Sequence, residues 1–229
     1  MPRMVGVLLG AAAFATLIIG QLGAQAPSGV LDVTYLEVVP RSEPAAVAVL
    51  KRHREVGRLE PGNVGLELLQ QSGRPAHFVI LESWRDEASF DQHTTNAATK
   101  SFFDALRPLQ LISVDQRIFK DLAVGSVVRS PAAAAIHVVT HVDTIPNPQR
   151  DATALLTRHA EESRRDDRNI VFDVFRQANR SNHFTIVEVW KDSSALDRHA
   201  VATHTKLYRD EIQPSLGSPI DERLFTAVK

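Results

Sequence analysis

The chain has 229 residues, 44% of them apolar and 23% charged, with a formal net charge of −1. That composition can build a core and excludes a disordered chain, and with no cationic excess it excludes a nucleic-acid partner held through its phosphates. Cysteine is absent, which excludes disulfides, thiolate metal sites and thiol chemistry.

In chain order the first predicted element is a targeting segment, residues 1–26. Arg3 supplies a positive start, Val5 to Gly20 carries no charge, and small residues follow at Gly23, Ala24 and Ala26. This is the layout of a secretory signal peptide, so the mature protein is expected outside the cytoplasm, periplasmic or secreted. If the segment were kept, residues 5–22 would form an anchor at the short end of the roughly 17–25 residues a spanning helix needs. Its removal takes away only one charge, that of Arg3.

The remainder repeats itself at an offset of 106 residues: Arg52-His53 becomes Arg158-His159, and His77-Phe78 becomes His183-Phe184. Likewise Glu82-x-Trp84 becomes Glu188-x-Trp190, Asp91-x-His93 becomes Asp197-x-His199, and Pro40, Pro108 and Phe119 become Pro146, Pro214 and Phe225. About 28 of some 93 positions are identical without a gap, so the chain is an internal duplication. The copies are predicted at residues 31–122 and 136–228, with residues 123–135, rich in Ala, Ser and Val, as a linker.

Each copy reads strand, helix, strand, strand, helix, strand. The first strand is Leu31 to Val39; Ser42 is a plausible N-cap for a helix from Pro44 to Leu59 whose face includes Ala46, Leu50 and His53. Val64 to Gln70 and Ala76 to Trp84 form a hairpin, turned at Gly73 in copy one and Asn179 in copy two, residue types that tolerate positive φ. A second helix opens at the N-caps Asp86 and Asp192 and stops by Pro108 and Pro214, with a break expected over Asn96 to Lys100. The last strand spans Leu111 to Phe119. The predicted fold class is α+β: two tandem ferredoxin-like βαββαβ units packed sheet to sheet as an intrachain pseudo-dimeric barrel.

Glu60-Pro61-Gly62, then Glu82-x-Trp84, then an Asp-opened helix carrying His93 resembles the antibiotic-biosynthesis monooxygenase (ABM) family of dimeric α+β barrels. Copy two matches at Glu188-x-Trp190, His199 and Thr203-His204-x-Lys206-x-Tyr208, and carries Asp167-Arg168-Asn169 in place of Glu-Pro-Gly. The resemblance covers nearly all of both repeats and implies cofactor-free oxygenation of quinols or polycyclic phenols by O₂. Haem-degrading relatives and members of unknown activity belong to the same family. The haem degraders place Asn beside their Trp and His, and neither Tyr35 nor His141 offers one.

The expected catalytic residues are Trp84 with His93 and Trp190 with His199: Trp stacks on a flat aromatic substrate while His, titrating near neutrality, accepts its phenolic proton. Tyr35, His53, His141 and His159 are expected to line the pocket. Against this stands the plainer reading of a core Trp and a packed, hydrogen-bonded His. Glu82 and Glu188 are expected to pair with arginines such as Arg52 or Arg158, and His77 to be structural or at the inter-repeat interface. His137 with His141 on one strand, and His199 with His204 on one helix, lack a clear third ligand, so no metal is expected. No cofactor is expected, with haem the one alternative. A non-catalytic module that binds a small molecule or assembles is the other function class. An enzyme should show an enclosed pocket of roughly 300 Å³ or more holding Trp and His of one copy.

Overall fold

The computed structural model describes residues 29–125, 135–145 and 151–229. The N-terminal targeting segment and most of the segment read as a linker lie outside these residues. No helix among the described residues is long and apolar enough to cross a membrane.

The first unit contains β1 (Val30–Glu37), α1 (Glu43–Gly57), β2 (Asn63–Gln71), β3 (His77–Trp84), α2 (Glu87–Thr95), α3 (Ala97–Leu106) and β4 (Asp115–Ala123). The second repeats it with β5 (Ile136–Asp143), α4 (Ala152–Ser163), β6 (Asn169–Gln177), β7 (His183–Trp190), α5 (Ser193–Val201), α6 (Thr203–Ile212) and β8 (Asp221–Ala227). The eight strands close into one antiparallel barrel in the order β1-β3-β2-β8-β5-β7-β6-β4. Each unit supplies four consecutive strands, and the seams between units are short ladders, β2 with β8 and β4 with β6.

Strand periodicity sorts the side chains. Along β1, Leu31, Val33 and Tyr35 point into the barrel lumen, while Val30, Asp32, Thr34 and Leu36 face the helices. The lumen core is shared, with Leu31, Val79 and Phe119 of the first unit against Val139, Phe175 and Phe225 of the second. Outside the barrel each unit has its own core between sheet and helices, around Leu50, Phe78 and Phe102 in one and Leu156, Phe172 and Trp190 in the other. Burial on both faces explains why the central strands read as almost unbroken apolar runs.

Several local expectations change. The second helix is two helices in each unit, and Asn96 caps α3 by accepting from Thr99 N at 2.8 Å. The last strand begins at Asp115: Leu111 and Ile112 are exposed in the bend before it, where Leu111 N donates to Glu37 O outside the continuous ladder. Ser42 closes a 3₁₀ turn, Pro40–Ser42, and caps α1 without a side-chain bond. Gly73 has φ 77°, but Asn179 is not in the left-handed region. The segment opposite Glu60-Pro61-Gly62 is Asp166-Asp167-Arg168, one residue earlier than the sequence reading: both precede an Asn paired with the unit's Trp, Asn63 with Trp84 and Asn169 with Trp190. Arg168, at φ 65°, occupies the place of Gly62, at φ 85°.

Candidate active site

In the first unit β1, β3 and α1–α3 enclose a cluster of ionisable groups. Glu82, on the helix-facing side of β3, is 3% exposed. Its Oε1 lies 2.6 Å from His53 Nε2 and its Oε2 lies 3.0 Å from His93 Nε2. The other face of His93 meets Glu60, with Nδ1 3.0 Å from Oε2, and Asn96 Nδ2 donates to the same oxygen at 2.9 Å. Burial works to raise the Glu82 carboxyl, but the two imidazoles outweigh it and hold it at about 2. Burial also opposes charge on His93, yet Glu82 and Glu60 prevail and raise its pKa above the ordinary imidazole value. His93 thus lies between two carboxylates, Glu82 at Nε2 and Glu60 at Nδ1, which together favour its protonated form.

Held between two carboxylates, His93 is poorly placed to accept a phenolic proton. The group poised to do so is Asp32, which sequence reasoning missed. It is 3% exposed on the helix-facing side of β1, receives Gln116 Nε2 at 2.6 Å and Thr34 Oγ1 at 3.2 Å, and is raised to about 7 by burial and by the charge of Glu82. A charged residue at a helix-facing strand position, Asp32 between Leu31 and Val33, was the available signal. Asp32, His53, Glu82, His93, Phe102 and Gln116 share a cavity of about 120 Å³.

The Trp residues do not offer free faces. Trp84 is 1% exposed with its ring centre 4.5 Å from that of His93, and Trp190, fully buried, sits 4.6 Å from His199. Each indole is thus covered by the histidine meant to share a substrate with it. The pocket expectation fails in the same way. The larger cavity, about 540 Å³, is bordered by Trp84 but by neither His53 nor His93, and lies at the barrel mouth among Leu31, Gly65, His137, Phe175 and Val187.

Tyr35 and His141 also belong elsewhere. They face the lumen, where the Tyr35 hydroxyl meets His141 Nε2 at 2.8 Å, so equivalent positions of the two copies touch across the barrel. Thr185 Oγ1 lies 2.6 Å from His141 Nδ1, and burial lowers this imidazole to about 4. His53 stacks on Phe102 at 3.8 Å and His159 on Tyr208 at 4.0 Å, both beneath their helices as the helical face implied. Among the described residues neither glutamate pairs with an arginine: Arg158 bonds Glu211 and Glu82 lies against the two histidines. His77 is an intra-unit ion pair with Glu37 at 3.8 Å.

The second unit keeps the frame and changes the chemistry. Glu188 accepts from Trp190 Nε1 at 2.8 Å, and burial raises it to about 8, so it is a neutral acid at pH 7. Its His159 stands at about 2, pushed down by burial and then by neighbouring His199 and His204, and Val138 replaces Asp32. His199 and His204 lie on successive helices, α5 and α6, rather than one, and Asp166 stands beside both.

A haem does not fit the first unit's site. The cavity is far smaller than the macrocycle, and Glu82 occupies the Nε2 of both histidines that could ligate its iron.

The description "Antibiotic biosynthesis monooxygenase" matches residues 30–105 and again 135–211. A candidate monooxygenase of Fusobacterium nucleatum superposes with a TM-score of 0.81 at 16% identity, covering 90% of this chain and 94% of that one. One from Lactobacillus acidophilus gives 0.73 at 11% over 87% and 94%, and an anthrone oxidase-like protein 0.67 at 9% over 88% and 92%. At such identities the likeness speaks for the fold. Curated protein sequences offer no match. Two domain matches over most of the chain, one on each unit of a single closed barrel, place this protein in the antibiotic biosynthesis monooxygenase family as a tandem member.

Proposed function

We propose that the chain is an exported monooxygenase that oxidises a quinol or related phenol with O₂, without a resident cofactor, in the first unit. The observation that carries this reading is Asp32, a buried carboxyl held at about 7 in a cavity shared with His93, whose pKa Glu82 and Glu60 raise. A general base works best with its pKa near ambient pH. Asp32 takes the phenolic proton, and the phenolate passes one electron to O₂ beside His93, whose protonated form favours both anions. Recombination at a ring carbon that bears hydrogen gives a peroxide, which the Asp32 proton neutralises. Loss of water from that hydroperoxide leaves a carbonyl, so one oxygen atom stays on the substrate and the other departs as water.

Size narrows the substrate. A cavity of about 120 Å³ is on the scale of the roughly 150 Å³ void that holds benzene. One ring fits, while a polycyclic phenol requires Phe102 and Phe103 to swing aside. The test is oxygen uptake with single-ring quinols and anthrones. Wild type should consume O₂, and Asp32→Asn should lose at least a hundredfold in kcat with the pH profile's acidic limb near 7 gone. No uptake with any of these compounds would overturn the enzymatic reading.

The barrel-mouth cavity favours a second reading, a non-catalytic binder of an apolar molecule. Its volume of about 540 Å³ falls in the usual ligand range of ~300–1,000 Å³, and His137 Nε2 beside it has no hydrogen-bond partner among the described residues. A quinol whose binding survives Asp32→Asn and is lost in Val187→Trp, which fills the mouth, would sit there.

A further inference from the structure

We propose that the second unit holds a divalent transition-metal ion on Asp166, His199 and His204, so that the duplicated sites have taken different chemistry. The observations begin with geometry. Asp166 Oδ2 lies 2.7 Å from His199 Nδ1 and 3.3 Å from His204 Nε2, and one donor atom from each residue falls within 4.8 Å of the others. A zinc ion with ligands at about 2.0–2.2 Å requires donors roughly 3.0–3.5 Å apart, so only a small opening of this trio is needed. The chemistry suits the ion: two imidazoles and one carboxylate are a set used by three-ligand zinc sites, with a fourth position left for water.

A second observation points the same way. His204 Nε2 is shielded from solvent and, although 3.3 Å from Asp166 Oδ2, makes no hydrogen bond to it or to any other described residue. Four residues along α6, on the same helix face, the hydroxyl of Tyr208 is likewise buried without a partner. Buried polar atoms are normally satisfied, and an ion on the trio would give His204 Nε2 the partner it lacks.

The internal repeat supplies a control. Position for position the trio corresponds to Glu60, His93 and Ala98 of the first unit, so the third ligand exists in the second copy alone. The first unit has its own group, His53, Glu82 and His93, with donor atoms equally close. There, however, each His93 nitrogen faces a carboxylate, Glu60 or Glu82, and all three side chains are more than nine-tenths buried. In the second unit about a fifth of the Asp166 and His204 side chains is exposed, which gives an ion a route in.

The experiment titrates the untagged full chain with zinc chloride by calorimetry and with cobalt chloride by visible absorption. One equivalent should bind, with cobalt showing the intense visible bands of a low-coordinate site. His204→Ala, which restores the residue of the first unit and so leaves the fold intact, should weaken zinc at least tenfold, as should Asp166→Asn, while Glu82→Gln should leave binding unchanged. Absence of binding up to millimolar metal, an affinity indifferent to His204→Ala, or loss that follows Glu82→Gln instead would each overturn the proposal.

Discussion

Glu82 and Glu188 are equivalent residues in opposite states, and the contrast can be measured. Glu82 is an anion between two imidazoles, held at about 2, so its contribution to stability is present above the unfolded carboxylate value of 4.5 and is lost as pH falls toward 2. Glu82→Gln removes the anion and leaves buried His93 facing an amide, which should cost about 3 kcal/mol in urea denaturation at pH 7. Glu188 is already neutral there, and glutamine keeps an acceptor for Trp190, so Glu188→Gln should change stability by less than about 1 kcal/mol. Asp32 has the reverse sign. Its folded pKa of about 7 exceeds the unfolded 3.8, so the stability it contributes is complete below pH 3.8 and is lost as pH rises through 7. Asp32→Asn should therefore gain on wild type between pH 4 and 7 by about 3–4 kcal/mol, at 1.36 per unit, and no further above it. Of this site the sequence displayed the histidines and glutamates, because duplication preserved them in both copies. It hid Asp32 for the same reason, since its counterpart is Val138 and a comparison of copies passes over what only one retains. The protonation state of His93 was not legible either, because it depends on Glu60, a residue distant along the chain that the fold brings within 3.0 Å.

At the level of elements, the turn leading into β2 shows how the two copies solved one steric problem. Gly62 sits at φ 85° with Ser89 packed against it, and a Cβ there would stand 2.1 Å from Ser89 Oγ. The second copy carries Arg168 at φ 65° in that place and has Ala195 where the first has Ser89. Removal of the hydroxyl accompanies the side chain. Gly62→Ala alone should cost about 2–3 kcal/mol, from the left-handed backbone and the clash together. In the Ser89→Ala background, where the Cβ of residue 89 would still stand 2.4 Å from the added methyl, the same substitution should cost about 1.5–2 kcal/mol, a partial coupling that a double-mutant cycle in urea would read directly. An additive pair would show that Ser89 is not the obstacle. Helix starts at Asp86 and Asp192 and the stops at Pro108 and Pro214 were visible because they rest on local chemistry, the caps accepting from Ser89 N and Ala195 N. The last strand was not, because Leu111 and Ile112 look like strand residues and only the register of β4 against β1, which starts at Asp115 opposite Tyr35, excludes them.

For the whole molecule the decisive fact is that the lumen belongs to neither unit. Phe119 and Phe175, or Val79 and Phe225, are neighbours in one core although they come from different copies, and Tyr35 bonds His141 across it. The seams are short, with β2 and β8 in register at Leu69, Gln70 and Gln71 and one further backbone bond at each end, at Leu68 and Ser72. Burial of a common apolar interior therefore makes the barrel one cooperative body, and a unit that unfolded alone would open that interior to water. Each unit carries a single tryptophan, fully buried against its own histidine, which gives each half its own reporter. In Trp84→Phe and Trp190→Phe, the remaining indole should report urea transitions that each coincide with that variant's own far-ultraviolet circular dichroism, with equal m values appropriate to the full chain. Phe225→Ala, which empties lumen space from the second unit, should lower the transition seen by Trp84 in the first unit as much as that seen by Trp190, by about 3–5 kcal/mol. If only the Trp190 signal moved, the halves would be independent domains, and the closed barrel would be a contact between them rather than the body that holds the site in shape.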